Sequence, residues 1–172
     1  MKIKRIDSPN FSSREGTDVD MIVIHCASLP EGEYGTGYIS DLFLNRLDLD
    51  AHPSFKSLKG LKVSAHYLIE RTGEVIEYVD CDQKAWHAGV STYQGTENCN
   101  MFSIGIELEG DVLSAYEDAQ YDALHELIKV LIEKYPLITE KRIVRHSDIS
   151  PERKDDPGPH FDMERVKGRA FI

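Results

Sequence analysis

The chain has 172 residues and carries 20 lysines and arginines against 30 aspartates and glutamates, so its formal net charge is −10. Hydrophobic residues make up 41% of the sequence and charged residues 29%, which is typical of a globular chain and excludes a disordered or fibrous one. The length fits one domain over residues 1–172. An acidic chain without an apolar run of ~18–20 residues is expected to bind neither nucleic acid nor a membrane.

The N-terminus and the cysteines indicate a cellular compartment. Residues 1–15 carry several charges but no apolar segment, so we expect no signal peptide. Cys26, Cys81 and Cys99 are odd in number and widely spaced, which does not indicate a disulfide framework. We therefore expect a cytoplasmic protein with three reduced thiols.

The first half of the chain predicts a strand, a helix and a hairpin. Residues 21–25 form an apolar, β-branched run, which predicts a buried strand that delivers His25 at its C-terminal edge. Residues 38–47 carry apolar side chains at helical spacing. The two halves of 66–79 flank the turn sequence 71–73, which ends in glycine and predicts a β-hairpin.

Two further strands are predicted in the second half of the chain. Residues 103–108 alternate, so that the isoleucines and the leucine share one face and Glu107 lies on the other. Residues 142–145 form a last short strand that ends at His146. Polar residues at strand ends are where a rigid scaffold presents reactive groups.

A long helix is predicted over residues 115–135. Ser114 is the expected N-cap, Glu117 completes a capping box, and Pro136 ends the helix. Strands and helices therefore alternate, but the hairpin excludes a purely parallel sheet. We expect an α/β fold of the α+β type, with a central mixed sheet flanked by helices.

The segment 146–159 is the richest in reactive side chains. It starts at a strand end, contains Lys154 and Asp156, and closes on a rigid Pro-Gly-Pro turn. This composition suits a preorganised site, but an ordinary charged surface loop has the same composition. His25 has a similar alternative, because a single histidine at a strand end is often only a structural hydrogen-bonding group.

Five segments, taken together and in order, resemble a known family: IHCAS, VSAHYLIERTGEV, AWHAGVSTYQG, SIGIELEG and RHSDISPERKDDPGPHFD. They are similar to the zinc-dependent N-acetylmuramoyl-L-alanine amidases, whose fold phage amidases and peptidoglycan recognition proteins share. The sequences SLPEGEYG and FSIGIELEGD resemble the AmpD-like branch, the 1,6-anhydromuramoyl-peptide amidases of cytoplasmic cell-wall recycling. The resemblance covers about residues 6–166.

The resemblance implies that His25, His146 and Asp156 are zinc ligands. Two imidazoles and one carboxylate leave zinc a fourth position for water, as in catalytic rather than structural sites. Asp156 is preferred over Asp155 because it directly precedes Pro-Gly, as in the Lys-x-Asp-Pro-Gly pattern of the family.

An amide hydrolase also needs an acid–base group and a group that stabilises the oxyanion. By alternation Glu107 and Glu109 point to the same face, and the strand pattern alone does not separate them. The family match favours Glu107, and it implies that Lys154 stabilises the oxyanion. Phage amidases carry a tyrosine at the position of Ala65 and lack the carboxylate at position 107, which supports an acid–base role for Glu107 in this branch.

Four more residues are candidates for substrate binding. Trp86 either stacks on a sugar or packs in the core, and His87 follows it on a loop of small residues. Lys62 could hold a peptide carboxylate, and Asn98 stands where the family often has an arginine. We expect His66 to be structural rather than a zinc ligand.

The sequence therefore predicts a zinc amidase that cleaves between N-acetylmuramic acid, in its 1,6-anhydro form, and L-alanine of the stem peptide. We expect a monomer that acts on soluble muropeptides in cell-wall recycling. One alternative is an amidase of the same chemistry that acts on intact peptidoglycan, as autolysins and phage enzymes do. The other is a muropeptide-binding module without catalysis, which the full set of candidate ligands disfavours.

Overall fold

A mixed sheet of six strands forms the centre of the protein in the computed structural model, which describes residues 2–170. The ten strands within this described range are β1 (Ile3–Arg5), β2 (Phe11–Ser13), β3 (Met21–Ala27), β4 (Tyr67–Ile69), β5 (Val75–Glu77), β6 (Gln83–Ala85), β7 (Thr92–Tyr93), β8 (Thr96–Glu97), β9 (Ser103–Glu109) and β10 (Ile143–Arg145). The order in the central sheet is β1-β5-β4-β9-β3-β10, while β2 pairs with β6 and β7 pairs with β8.

Helices cover the sheet. They are α1 (Tyr38–Phe43), α2 (Asp118–Lys134), α3 (His146–Ile149) and α4 (Met163–Ala170), with 3-10 helices at Pro53–Leu58, Cys99–Met101 and Glu140–Arg142. The apolar stripe of α2 packs on β9 in the largest core cluster, where Leu124 and Leu127 lie with Ile104 and Ile106. Among residues 2–170, no helix combines the length and apolar content that a membrane span requires. The predicted fold class is confirmed.

The strand register brings three parallel strand ends together. β3 pairs in parallel with β9 on one side and β10 on the other, and the hairpin strands β4 and β5 pair antiparallel. His25 lies directly opposite Glu107 in the ladder, and Arg145 lies opposite Ile24. His146, the next residue, therefore reaches the same edge of the sheet.

The predicted bounds of one helix and one strand are wrong. The helix predicted over 38–47 ends at Phe43, because Asn45 adopts a left-handed conformation with φ 57°. The side-chain amide of Asn45 donates to Asn10 Oδ1 at 2.9 Å. The last strand is also shorter than expected, since Arg142 belongs to a 3-10 helix.

The long helix begins three residues later than predicted. Glu117 is its N-cap and forms a reciprocal capping box with Gln120, so α2 starts at Asp118. Ser114, the expected cap, instead donates its hydroxyl to Asp111 at 3.2 Å. A competing carboxylate three residues upstream thus removes Ser114 from the helix terminus.

Candidate active site

A folded-back loop adds a carboxylate to the meeting point of the strand ends. The main-chain N–H of Ser147 donates to the carbonyl of Asp156 at 3.1 Å, which closes the loop between α3 and Asp156. The Tyr116 hydroxyl donates to the carbonyl of Pro157 at 2.7 Å and ties the end of this loop to the segment before α2. Asp156 is thereby held beside His146, ten residues earlier in the chain.

His25, His146 and Asp156 present one atom each to a common point. The Nδ1 atoms of His25 and His146 lie 2.9 Å apart. Asp156 Oδ2 lies 3.1 Å from His146 Nδ1 and 3.3 Å from His25 Nδ1. Both imidazoles are buried, with 1% of His25 and 3% of His146 exposed. Within the described part of the chain, this is the group of potential ligands whose atoms all lie within 4.8 Å of one another.

The protonation states of this group suit a divalent cation. Burial lowers the pKa of His25 to about 4, so its imidazole is neutral at pH 7. Burial alone would raise the pKa of Asp156, but its contacts with His146 and His25 outweigh burial and lower that pKa, so the carboxylate is ionised. His146 Nε2 donates to the carbonyl of Ala88 at 3.0 Å, which leaves a lone pair on Nδ1. Nitrogen and oxygen donors of this kind fit zinc.

Glu107 lies beside this group and lines the same cavity. Its Oε2 is shielded from solvent and has no hydrogen-bond partner among residues 2–170. Burial, with a smaller contribution from the negative charge of Asp156, raises the pKa of Glu107 to about 8, against the opposing effect of Lys154. A carboxyl group with a pKa near neutrality can both accept and donate a proton at pH 7.

Glu109 has a different environment. Its Oε1 accepts a hydrogen bond from Gly35 N–H at 2.5 Å, and its Oε2 accepts one from Arg71 N–H at 3.1 Å. The carboxylate therefore connects two loops, and each of its oxygens accepts a hydrogen bond from the main chain. The geometry separates the two glutamates that the strand alternation left equivalent.

Two cavities adjoin at Lys154 and Asp156. One of about 210 Å³ is lined by His25, His146, Asp156, Glu107 and Lys154, and its further walls include Trp86, His87, Leu29, Ile39, Leu42, Phe43 and Leu61. The second, of about 430 Å³, shares Lys154 and Asp156 and continues along Ser54, Ser57, Asp111 and Arg153. A substrate with two dissimilar halves could therefore place the bond between them at the candidate ligands.

The four candidate substrate-binding residues divide into two pairs. Trp86 and His87 line the smaller cavity. Trp86 is half-buried, and its indole N–H donates to the Ser12 hydroxyl at 3.1 Å. Lys62 is exposed and lines a neighbouring groove of leucines, and Asn98 is exposed on the turn after β8. Neither of these two side chains is among those that line the two cavities at the candidate ligands.

His66 lies outside the ligand group. Its Nδ1 accepts a hydrogen bond from Gly105 N–H at 3.0 Å, and its Nε2 donates to the carbonyl of Gln83 at 3.0 Å. The ring is completely buried, and burial lowers its pKa to about 3. These contacts agree with the expected structural role.

Two residues that the sequence reasoning did not single out hold the segment behind the imidazoles. The Asn100 amide oxygen accepts hydrogen bonds from the main-chain N–H groups of His87 and Ala88 at 3.1 and 2.8 Å. The guanidinium of Arg153 donates to the Ala88 carbonyl at 2.7 Å. No sequence pattern indicates these contacts, because the partners lie 12 and 65 residues away.

Comparison with known proteins gives consistent matches. The model of the family described as N-acetylmuramoyl-L-alanine amidase matches residues 15–159. The 1,6-anhydro-N-acetylmuramyl-L-alanine amidase AmpD of Haemophilus influenzae is 50% identical over 163 residues, which span 94% of this chain and 89% of that protein.

Solved structures agree with these sequence matches. A crystal structure of a selenomethionine derivative of AmpD matches with a TM-score of 0.94 and 48% identity, covering 96% of this chain and 93% of that one. The amidase AmiD from Escherichia coli, in complex with anhydro-N-acetylmuramic acid-L-Ala-D-γ-Glu-L-Lys, matches with a TM-score of 0.64 and 29% identity. That match covers 95% of this chain and 60% of AmiD.

Proposed function

The chain belongs to the N-acetylmuramoyl-L-alanine amidase family of enzymes, and from this premise we propose that it hydrolyses the amide between 1,6-anhydro-N-acetylmuramic acid and L-alanine of the stem peptide. The identity of 50% to an amidase of that name supports this substrate. The net charge of −10 supports a small soluble muropeptide as substrate, because an acidic chain has no general attraction for an anionic cell wall.

The observation that carries the proposal is the convergence of His25, His146 and Asp156 beside a carboxyl group with a free oxygen, Glu107. A module that only binds muropeptides would need neither the three converging ligands nor the carboxyl group beside them. We further propose that residues 1–172 form one catalytic domain that works as a monomer in the cytoplasm, in peptidoglycan recycling. The monomer is supported by the site itself, since all its proposed residues come from one chain.

In the proposed mechanism His25, His146 and Asp156 hold zinc. Bound there, zinc would polarise the scissile carbonyl and lower the pKa of a water molecule to about 7. The neutral imidazole of His25 and the ionised carboxylate of Asp156 are the protonation states that a zinc ligand requires.

Glu107 is the proposed acid–base residue. Glu107 lines the cavity that holds the proposed ligands, and its carboxylate accepts a proton from the attacking water while the water oxygen bonds to the carbonyl carbon. Because its pKa is raised to about 8, the carboxyl group can retain this proton and then deliver it to the L-alanine nitrogen as the C–N bond breaks. The products are a free carboxyl group on the lactyl ether and a free amino group on the peptide.

Lys154 is the proposed oxyanion-stabilising residue. It lines both cavities at the point where they meet, so its ammonium group is available to the carbonyl oxygen that becomes negative in the tetrahedral intermediate. One donor of this kind contributes about 3–4 kcal/mol to lowering a barrier.

Product analysis tests the proposed function. The zinc-loaded protein is incubated with a 1,6-anhydromuramoyl tripeptide and, in parallel, with intact sacculi, and the products are identified by mass spectrometry. We expect release of free tripeptide from the anhydromuropeptide, loss of this activity with a zinc chelator, and its recovery on adding zinc. Cleavage of sacculi alone would refute the role in recycling, and cleavage unaffected by the chelator would refute the zinc mechanism.

A further inference from the structure

The imidazole of His25 has a second neighbour, outside the proposed ligand group. Its Nε2 lies 2.9 Å from Nδ1 of His87, and the two rings meet edge to face with centroids 5.0 Å apart. A hydrogen bond between two ring nitrogens needs one protonated and one unprotonated atom. The tautomer of His87 therefore decides which nitrogen of His25 keeps its lone pair.

The far side of His87 determines that tautomer. The Ser103 hydroxyl donates to the carbonyl of Cys99 at 2.6 Å, so its only proton is used. Its oxygen can then only accept, and His87 Nε2 lies 3.2 Å from it. His87 is thus protonated on Nε2 and unprotonated on Nδ1. It follows that His25 donates its Nε2–H to His87 and keeps the lone pair on Nδ1, the atom that faces the other two proposed ligands.

The His87 ring has little freedom to move. A Cβ atom added at Gly105 would overlap the ring, so the ring lies directly against the main chain of β9. The main-chain N–H groups of His87 and Ala88 are both held by the Asn100 side chain. Both proposed histidine ligands therefore depend on this one dipeptide, since the Ala88 carbonyl accepts the Nε2–H of His146.

We propose that His87 is a positioning residue for the metal site: it accepts the Nε2–H of His25 and so holds that imidazole in the tautomer and orientation that present Nδ1 to the cation. The inference rests on the proposed function, because the cation is the zinc ion of that mechanism. This positioning role replaces the substrate binding that was expected of His87 from the sequence. An outer partner of a metal-bound histidine typically contributes about 10- to 100-fold to metal affinity or activity.

The test compares two substitutions at one position. His87→Phe keeps a ring of similar size but removes the acceptor. His87→Asn keeps an acceptor, because the asparagine Oδ1 is separated from Cα by the same number of bonds as the histidine Nδ1. The zinc dissociation constant is measured without substrate, by competition with a chromogenic chelator. We expect about 10- to 100-fold weaker binding for His87→Phe and near-normal binding for His87→Asn.

A spectroscopic measurement and a third variant, Ser103→Ala, complement the two substitutions at His87. The absorption spectrum of the cobalt(II)-substituted protein reports ligand geometry, and we expect it to change in His87→Phe and to stay close to that of the parent chain in His87→Asn. Ser103→Ala removes the acceptor of the His87 Nε2–H while leaving almost the same volume. It should weaken zinc binding in the same direction by a smaller factor, and it tests the inference even if His87→Phe does not fold.

Three outcomes would overturn the inference. Unchanged zinc affinity in His87→Phe with a raised KM would make His87 a substrate contact. Equal losses in His87→Phe and His87→Asn would show that the acceptor is not what matters. Failure of the unsubstituted chain to bind zinc would refute the proposed function itself, and with it the inference, whereas the first two outcomes leave the proposed function intact.

Discussion

Two buried histidine environments lie close together in this protein, and only one has the geometry of a metal site. Burial lowers the pKa of His25 to about 4 and that of His66 to about 3, so both rings are neutral at pH 7. Both nitrogens of His66 are occupied by main-chain partners, at Gly105 and Gln83. One ring nitrogen of His25 hydrogen-bonds to His87, and the other faces Asp156.

This difference shows that the lowered pKa of a histidine reports burial of its ring. A ring nitrogen whose lone pair has no hydrogen-bond donor is the feature that indicates a metal ligand. His66 has the more strongly displaced pKa of the two and holds two strands and a loop together. The buried guanidinium of Arg14 belongs to the same structural environment, since its Nη2 lies 3.1 Å from His66 Nε2. The guanidinium donates to the main-chain carbonyls of Cys81, Asn100, Met101 and Ser103.

The largest expected effect comes from removing a proposed ligand. His146→Ala deletes one of the two imidazole donors, so we expect zinc content to fall from about one ion per chain to near zero, and amidase activity to fall below detection. Zinc content is measured by atomic emission after dialysis, and activity by release of peptide from an anhydromuropeptide. His160→Ala, at an exposed histidine of the same C-terminal region, is the matched control and should change neither.

The second prediction separates the two glutamates on one face of β9. Glu107→Gln should reduce turnover by about 10²- to 10⁴-fold while zinc content stays near one per chain, because in the proposed mechanism the carboxyl group moves protons and holds no metal. Glu109→Gln should instead lower the free energy of unfolding by about 1–3 kcal/mol, because a buried acceptor of main-chain N–H groups is replaced by an amide.

These two variants are assayed side by side for kcat, zinc content and urea unfolding. Full activity in Glu107→Gln would refute its acid–base role. A loss of turnover in Glu109→Gln at unchanged stability would mean that the hydrogen bonds from Gly35 and Arg71 do not describe its function.

The smallest expected effect concerns His66 and the pH dependence of stability. Its pKa of about 3 in the folded protein lies below the ordinary value of 6.5, so only the unfolded chain binds a proton there between those pH values. The contribution of neutral His66 to the free energy of unfolding is therefore present above pH 6.5 and is lost as the pH falls towards 3. His66→Gln, which does not titrate, should be less stable than the parent chain at pH 7, and the difference should narrow by ~2 kcal/mol at pH 5.

Urea unfolding of both proteins at the two pH values measures this difference. The other histidines titrate in both proteins, so their contributions cancel. Parallel pH dependences of the two unfolding free energies would contradict the buried, neutral state of His66.

Much of the fold followed from local pattern. The buried run of β3, the hairpin around Gly73 and the alternation of β9 are local properties, and each element forms where it was predicted. Helix ends were less predictable. Ser114 has the residue type of an N-cap, but its hydroxyl bonds to Asp111, and Glu117 caps α2 instead.

The sequence by itself determined the chemistry that this protein carries: imidazoles at two strand ends, an Asp-Pro-Gly turn, and a glutamate on the polar face of a strand. Only the tertiary structure decided how each group is used. His25 meets His87 across 62 residues of chain, and His146 meets the Ala88 carbonyl across 58. Tautomers and free lone pairs depend on such distant partners, and residue type and spacing carry no information about them.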